Sequence, residues 1–476
     1  MEAHISQSHI TAESPMSTPS LAVPASRKAS APMRIAVVGA GVAGATFARQ
    51  IKSLMGDHAQ LSLFEMGRGP GGRAATRRDR NDTRMSIDHG APVFDVNKSS
   101  KFYDVAEALV DEGYLQKASP WWRYHARTTD DVDVKLAFPS DGYEAYLGKP
   151  SMNAMCKGLL AGVDITTHFG TKVSKLSCAN VNSTVKWNLK GAGATPADEP
   201  VDFGDFDYLV VTSLGFAHAT RWRDIFGEEA PVVEAWRELS EKPPGTSEKV
   251  DSLLASVERV DAIPVISIFA QYSADAAASW LPKAEFETLR FAPHGGALNK
   301  IFGGGYQRAD GGGEVTSWTN EPRIVDGIVV RRRENGDVTL ACHASEEYSR
   351  SSFGVYGTGS TASRLGAGTK AGAKSNDPRT EQEIVRQVLD DVAKALHLDD
   401  QAKSDFVKPT NGPFMQRWGS AFPVASTCIS AEGAFAPESG LILAGDFTSM
   451  RPGTIEGAAE SAIDAATKLA SHVISL

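Results

Sequence analysis

Short, continuous apolar runs alternate along this chain with longer stretches in which apolar residues recur every three or four positions. That order predicts an α/β protein built on a parallel sheet. Arg34-Ile35-Ala36-Val37-Val38 is one such run, read as a strand buried on both faces. Residues 45–55 carry good helix formers at helical spacing, and residues 61–65 form a second strand-like run. Residues 151–161 read as a helix, 173–176 and 185–189 as two strands with a Gly/Pro-rich link, and 206–212 as a buried strand that returns to the first sheet. Further on, 264–271 and 338–344 are strand-like, 381–396 is an amphipathic helix, 440–446 is a buried strand, and 459–473 is an Ala-rich helix. Residues 356–376 are rich in Gly, Ser, Ala and Lys and read as a mobile insert.

The first strand runs into Gly39-Ala40-Gly41-Val42-Ala43-Gly44 and then directly into helix. This is a dinucleotide fingerprint: a glycine for the tight turn, a second for backbone approach to a pyrophosphate, and a third for close helix packing. Glu65 stands about 20 residues beyond it, where a carboxylate meets adenosine ribose hydroxyls. Gly67-Arg68-Gly69-Pro70-Gly71-Gly72-Arg73 follows at once. Gly71-Gly72-Arg73 in that place distinguishes an FAD site from an NAD site, with Arg73 available to the diphosphate or the flavin end. Near the other terminus a strand ends in Gly445-Asp446, which suits the ribityl hydroxyls. Thr454-Ile455-Glu456-Gly457-Ala458 then opens the last helix, whose N-terminal dipole favours negative charge on a reduced flavin. A second Gly-rich hexapeptide, Gly357-Thr358-Gly359-Ser360-Thr361-Ala362, lacks a buried strand before it and a helix after it, and is rejected as a second dinucleotide site.

Five segments together resemble the renalase family, its plant and algal members above all: the Gly67–Arg73 run, Asp88-His89-Gly90-Ala91-Pro92-Val93-Phe94, Pro150-Ser151-Met152-Asn153-Ala154-Met155, Val338-Thr339-Leu340-Ala341-Cys342-His343-Ala344-Ser345, and Gln416-Arg417-Trp418. The first two are specific within flavoproteins; the other three are short and supportive. The resemblance implies a Rossmann-type FAD-binding domain with an inserted, mixed α/β substrate domain like that of p-hydroxybenzoate hydroxylase. It also implies oxidation of reduced nicotinamide isomers, with electrons passed to oxygen and hydrogen peroxide released. It adds Gly90, Ala91 and the backbone of Val173 to the cofactor contacts. His343 becomes the substrate-side residue, alongside Trp418, Arg417 and Arg323 as candidates for ring stacking and phosphate pairing. Removing hydride from a dihydropyridine leaves an aromatic ring, so no general base is required. Two further functions share the frame: a flavin amine oxidase or desaturase, and an idle FAD-bound interaction protein.

These motifs divide the chain into a tail over 1–32, a discontinuous FAD-binding domain over 33–115, 150–225 and 405–476, and a substrate domain over 116–149 and 226–404. The tail is rich in Ser, Ala and Pro with two basic residues and two acids, which fits either a disordered tail or a plastid transit segment and excludes a secretory signal. The expected compartment is accordingly the cytoplasm or the plastid stroma. At 476 residues with net charge -9, the chain is large enough for two cores and a poor match for nucleic acid or an anionic membrane. Nor does any apolar run reach membrane-spanning length. The basic cluster Arg73, Arg77, Arg78, Arg80 and Arg84 reads as a solvated loop, with Arg73 alone assigned to the site. Cys156, Cys178, Cys342 and Cys428 are dispersed, and the 11 histidines form no ligand group, so no metal is expected. Cys428 reads as a buried free thiol in preference to a covalent flavin anchor, and FAD as non-covalent.

Overall fold

The computed structural model describes residues 31–79, 81–82, 84–118, 121–126, 132–137, 141–192, 200–281, 288–291, 324–352, 354–355, 357, 360, 377–396 and 398–475. Arg323 and nearly all of 356–376, including most of the rejected hexapeptide, lie outside those residues, as do 1–30.

A six-stranded sheet forms the frame, in the order Thr166–Phe169, Ala59–Glu65, Met33–Val38, Tyr208–Val211, Leu441–Leu443, Phe435–Ala436. All neighbours are parallel except the last pair. The continuous apolar runs become the central strands because both faces are covered. The helices Val42–Met55 and Ile455–Ser475 pack over one face in a core with Ile35, Val37, Leu63 and Val210. Helix and first strand come close enough that Gly44 is required: a Cβ there would stand 1.9 Å from the Gly39 carbonyl oxygen. The other face is covered by an antiparallel meander, Lys172–Val181, Thr184–Ala192 and Val201–Phe206, whose first turn, Asn182-Ser183, has positive φ at both residues as a two-residue hairpin demands. No helix among the described residues is long and apolar enough to cross a membrane.

The second unit is a seven-stranded sheet in the order Asn411–Pro423, Ala262–Tyr272, Val338–Ala344, Val325–Arg332, Thr288–Phe291, Trp121–Ala126, Val132–Ala137. Its outer face is an apolar core shared with the amphipathic helix Pro378–Ala395: Ile266, Ile268, Val330, Leu340, Cys342 and Met415 meet Val388, Leu389 and Val392. Its inner face turns toward the first unit.

Three boundaries move. Asn411–Pro423, expected with the cofactor-binding segments, pairs antiparallel with Ala262–Tyr272 and so belongs to the seven-stranded sheet. Tyr143–Gly148, expected in the substrate domain, pairs with Phe94–Asn97 and Leu115–Lys117 and buries Tyr146 in the cofactor-domain core. Helices Pro231–Glu238 and Ser247–Glu258, placed with the substrate domain, bury Trp236, Val250 and Leu253 beside Trp187 and Leu209 of the first unit. In each case an apolar stripe finds its cover across a long sequence separation, which local spacing does not encode.

Candidate active site

At the carboxyl ends of the parallel strands, the glycine fingerprint and the Gly71-Gly72-Arg73 loop lie against one another. Gly41 and Gly71 form a parallel backbone bridge, and the Gly71 N–H donates to the Ala40 carbonyl at 2.9 Å. Glu65 fastens both loops: its carboxylate accepts the Ala40 N–H at 2.9 Å and the Gly67 N–H at 2.6 Å. Burial raises the Glu65 pKa, and the two N–H donors work against that rise. Val173 is buried close to this end, since the Thr171 N–H donates to the Glu65 carbonyl at 2.9 Å. Cys156 lies beneath the loop with its sulfur 3.9 Å from the Gly71 carbonyl, and burial, aided by Glu65, pushes its thiol up to about 12.

Arg73 and Asp446, expected as separate cofactor contacts, pair with each other. The guanidinium donates a two-pronged fork to both carboxylate oxygens at 2.5 Å each, and Nη1 also donates to the Ala421 carbonyl at 2.6 Å. Burial opposes the Arg73 charge, but Asp446 outweighs it and the pKa rises. Asp446 is 1% exposed and accepts a further N–H from Gly453. This fork joins the first and last segments of the chain to the strand Asn411–Pro423. Gly445, ahead of Asp446, donates its N–H to the Ser461 hydroxyl at 2.6 Å.

The start of the last helix is occupied by its own chain. Thr454 caps it by accepting the Gly457 N–H at 2.8 Å. Glu456 is buried, accepts the Asn97 N–H at 3.0 Å and pairs with Arg451. Gly457 admits the Arg451 carbonyl to within 2.1 Å of where a Cβ would stand, Ala458 packs in the core, and Ile455 packs against it. These side chains, expected as cofactor contacts, also brace the helix start, whose backbone and dipole are what the turn can offer a ligand.

Beyond Arg73, the segment His89–Ala91 lies against the inner face of the second sheet. Gly90 is pressed so tightly on the loop that a Cβ would stand 1.8 Å from the Arg73 carbonyl, which accepts the Ala91 N–H at 2.9 Å. His89 is stacked between Phe269, with centroids 4.7 Å apart, and Trp418, at 5.4 Å. The His89 carbonyl accepts from the Ser267 hydroxyl at 2.8 Å and from the Trp418 indole N–H at 3.4 Å. His343 sits opposite Ser267 in register, beside the backbone of His89 and Gly90. Both imidazoles are buried, and the Nδ1 of each makes no hydrogen bond among the described residues. Burial first, then Arg77 and His343, lowers the His89 pKa to about 3; burial lowers that of His343 to about 4. Each ring is therefore neutral at pH 7.

Arg417 does not join this group. Strand alternation places it with Met415 and Ile266 on the outer, helix-covered face, while Trp418, Gln416 and Phe414 share the inner one. Conversely, the sequence reading missed His89, which sits inside a quoted motif, and Arg77, which it assigned to a solvated loop. Arg77 is half-buried with its guanidinium 4.2 Å over the Phe414 ring, and burial, then Arg68, lowers its pKa. Asp88 is buried, accepts from the Thr76 hydroxyl at 2.6 Å and the Met152 N–H at 2.9 Å, and faces Arg331 of the second sheet at 3.6 Å. Among the described residues, no three His, Cys, Asp or Glu come together to hold a metal.

The frame fits FAD. Gly41 and Gly72 pack backbone to backbone, a Cβ on the latter standing 3.1 Å from the Gly41 Cα, so the two glycine loops close on one another as a dinucleotide cradle requires. The aromatic wall with two unpaired imidazole nitrogens suits a flat ring with polar edges.

A sequence model described as an NAD(P)-binding Rossmann-like domain matches residues 37–111, and one described as flavin-containing amine oxidoreductase matches 342–470. No curated protein matches the chain. Among solved structures, a candidate protoporphyrinogen oxidase from Exiguobacterium sp. 255-15 is similar with a TM-score of 0.53 at 10% identity, covering 93% of this chain and 99% of its own. An oxidoreductase from Methanosarcina mazei has a TM-score of 0.52 at 12% identity, with 90% and 99% covered. A putrescine oxidase variant redesigned in its cofactor binding has a TM-score of 0.50 at 10% identity, with 93% and 99% covered. At such identities the likeness is one of fold. None of these matches singles out the renalase family. What they support is the flavin amine-oxidase-like superfamily, and the chain is a flavin-dependent oxidoreductase on that α/β frame.

Proposed function

We propose that the protein is a renalase-like oxidase that takes hydride from a dihydro-NAD(P) isomer and returns the electrons to molecular oxygen as hydrogen peroxide, with FAD held non-covalently. The observation that carries this reading is the neutral His89–His343 pair in an aromatic wall. Bound flavin supplies the hydride acceptor; the chain supplies position and surroundings. Trp418, covered by His89 on one side, has its other face to offer a planar donor. Because a dihydropyridine becomes an aromatic cation on losing hydride, no proton need be removed, and neutral imidazoles too weakly basic to serve as a general base suffice. The inner-face carboxylate Asp88 is already spent on Thr76, Met152 and Arg331, so it is not free to balance an alkylammonium. Cys428 accords with non-covalent FAD: burial, aided by Asp446, pushes its thiol up to about 11, far from a reactive thiolate.

Amine oxidation is the second reading, favoured by the amine oxidoreductase match over 342–470. The two are separated by anaerobic mixing of the purified yellow protein with aged NADPH, which contains several dihydro isomers, and with primary and secondary amines. Bleaching by a dihydropyridine, followed by one peroxide per donor on admitting oxygen, is expected. Bleaching by amines alone overturns the proposal in favour of the second reading. Glu65→Ala and Arg73→Ala each lose charge-assisted hydrogen bonds and should weaken FAD retention by about 1.5–3 kcal/mol, or ten- to a hundredfold, in equilibrium dialysis.

A further inference from the structure

Arg77 is half-buried over a ring, a position that a solvated loop does not explain. It leaves the Gly71-Gly72-Arg73 loop on the strand Thr76–Arg78, opposite Ile87 in register. Its neighbours Thr76 and Arg78 point away, toward Asp88 and Ser151. Its own side chain turns to the interdomain side, where Ile87 packs with Phe269 and Phe414. There it caps a ladder of rings: the guanidinium over Phe414 at 4.2 Å, Phe414 to Phe269 at 5.6 Å, Phe269 to His89 at 4.7 Å, and His89 to Trp418 at 5.4 Å. Among the described residues Arg77 makes no hydrogen bond and no ion pair. Its charged surroundings are mixed: the exposed cation Arg68 lowers its pKa, while Asp79 and Glu381 act the other way without forming an ion pair with it among the described residues. A half-buried arginine with five donors, stacked on a ring, under the influence of a second cation and without a hydrogen-bonded side-chain anion among the described residues, is arranged to take an anion from outside.

We propose that Arg77, with Arg68 outside it, is the anion-binding end of the substrate site, so that the donor carries a phosphate or carboxylate at one end while its planar ring lies along the Trp418–His89 end of the ladder. This rests on reading the inner face as the substrate side. It also sets a specificity rule, since a simple alkylammonium would meet two like charges at the mouth.

Two readouts on the FAD-loaded enzyme test it. In the first, inorganic pyrophosphate and acetate are titrated calorimetrically into wild type, Arg77→Gln, Arg77→Lys and the exposed control Arg84→Gln. The proposal expects binding of at least one anion that weakens tenfold or more in Arg77→Gln, partly recovers in Arg77→Lys and persists in Arg84→Gln; which anion binds separates phosphate from carboxylate recognition. In the second, kcat/KM is compared for reduced nicotinamide mononucleotide and the uncharged reduced riboside. Arg77→Gln should lower the first at least tenfold more than the second, and salt should slow only the first in wild type. Equal anion binding by wild type and Arg77→Gln, or no anion binding by wild type, overturns the proposal, with melting temperature and FAD content confirming that the variant is folded. Should no dihydropyridine bleach the flavin while the anion titration behaves as expected, the anion site stands and the nicotinamide reading alone falls.

Discussion

The two faces of the seven-stranded sheet are made by alternate residues of the same strands, yet they are built on opposite principles. Outward, Ile266, Ile268, Leu340, Cys342 and Met415 are apolar and covered by the helix Pro378–Ala395. Inward, Ser267, Phe269, His343 and Trp418 meet the cofactor unit through rings, imidazoles and buried polar atoms, some of which stay unpaired. Leaving a buried polar atom unpaired costs free energy, about 1–3 kcal/mol for a neutral group. The outer core carries that cost too, at the Trp280 indole nitrogen, so the faces differ in kind: outward the packing is mainly aliphatic, whereas inward two imidazoles with unpaired Nδ1 atoms are gathered among stacked rings.

The contrast breaks most visibly by truncation of the outer face. Leu340→Ala should cost about 2–5 kcal/mol in urea unfolding, while the remaining folded protein keeps its flavin reduction rate. If it lowered the rate per bound FAD by more than a few-fold, the faces would not be separable. On the inner face, Arg331→Ala leaves the buried Asp88 without its cation and should cost about 2–3 kcal/mol, less than a fully enclosed pair because the two stand 3.6 Å apart. Little change in the unfolding midpoint would show that Thr76 and Met152 hold Asp88 alone.

The third effect is the pH dependence that the inner face contributes. His89 and His343 have folded pKa values near 3 and 4, below the ordinary 6.5. Between about pH 6.5 and 4 the unfolded chain therefore binds protons that the folded one does not. Stability contributed by these groups is whole above about pH 6.5 and is lost as pH falls through that window, by roughly 2 kcal/mol or more per histidine at pH 4.5. His89→Asn should flatten the acid limb of unfolding free energy against pH, whereas Leu340→Ala should shift the whole curve without changing its slope.

How much of this was legible in the sequence follows from how far each interaction reaches along the chain. The strand over 338–344 was readable to the residue because it is an apolar run between turn signals, yet a run apolar on both faces does not say that His343 points inward and Cys342 outward. Glu65 and its loops were readable because all the partners lie within a few dozen residues. The strand Asn411–Pro423 was not, since it mixes Gly, Pro, Gln, Arg and Ser and becomes a strand through pairing with Ala262–Tyr272. Without that register, Arg417 and Trp418 looked equivalent, although only Trp418 faces the site. The Trp418–His89 contact spans 329 positions, and the Arg73–Asp446 fork 373. Residue type announced each partner; only the closed fold shows that they meet.

The claim that the inner face meets the donor is tested most directly by anaerobic stopped-flow reduction of His343→Ala by a dihydronicotinamide, with Leu340→Ala alongside. His343→Ala should retain FAD at wild-type stoichiometry and bleach at least tenfold more slowly, while Leu340→Ala bleaches at the wild-type rate. Equal bleaching by His343→Ala and wild type would contradict the account.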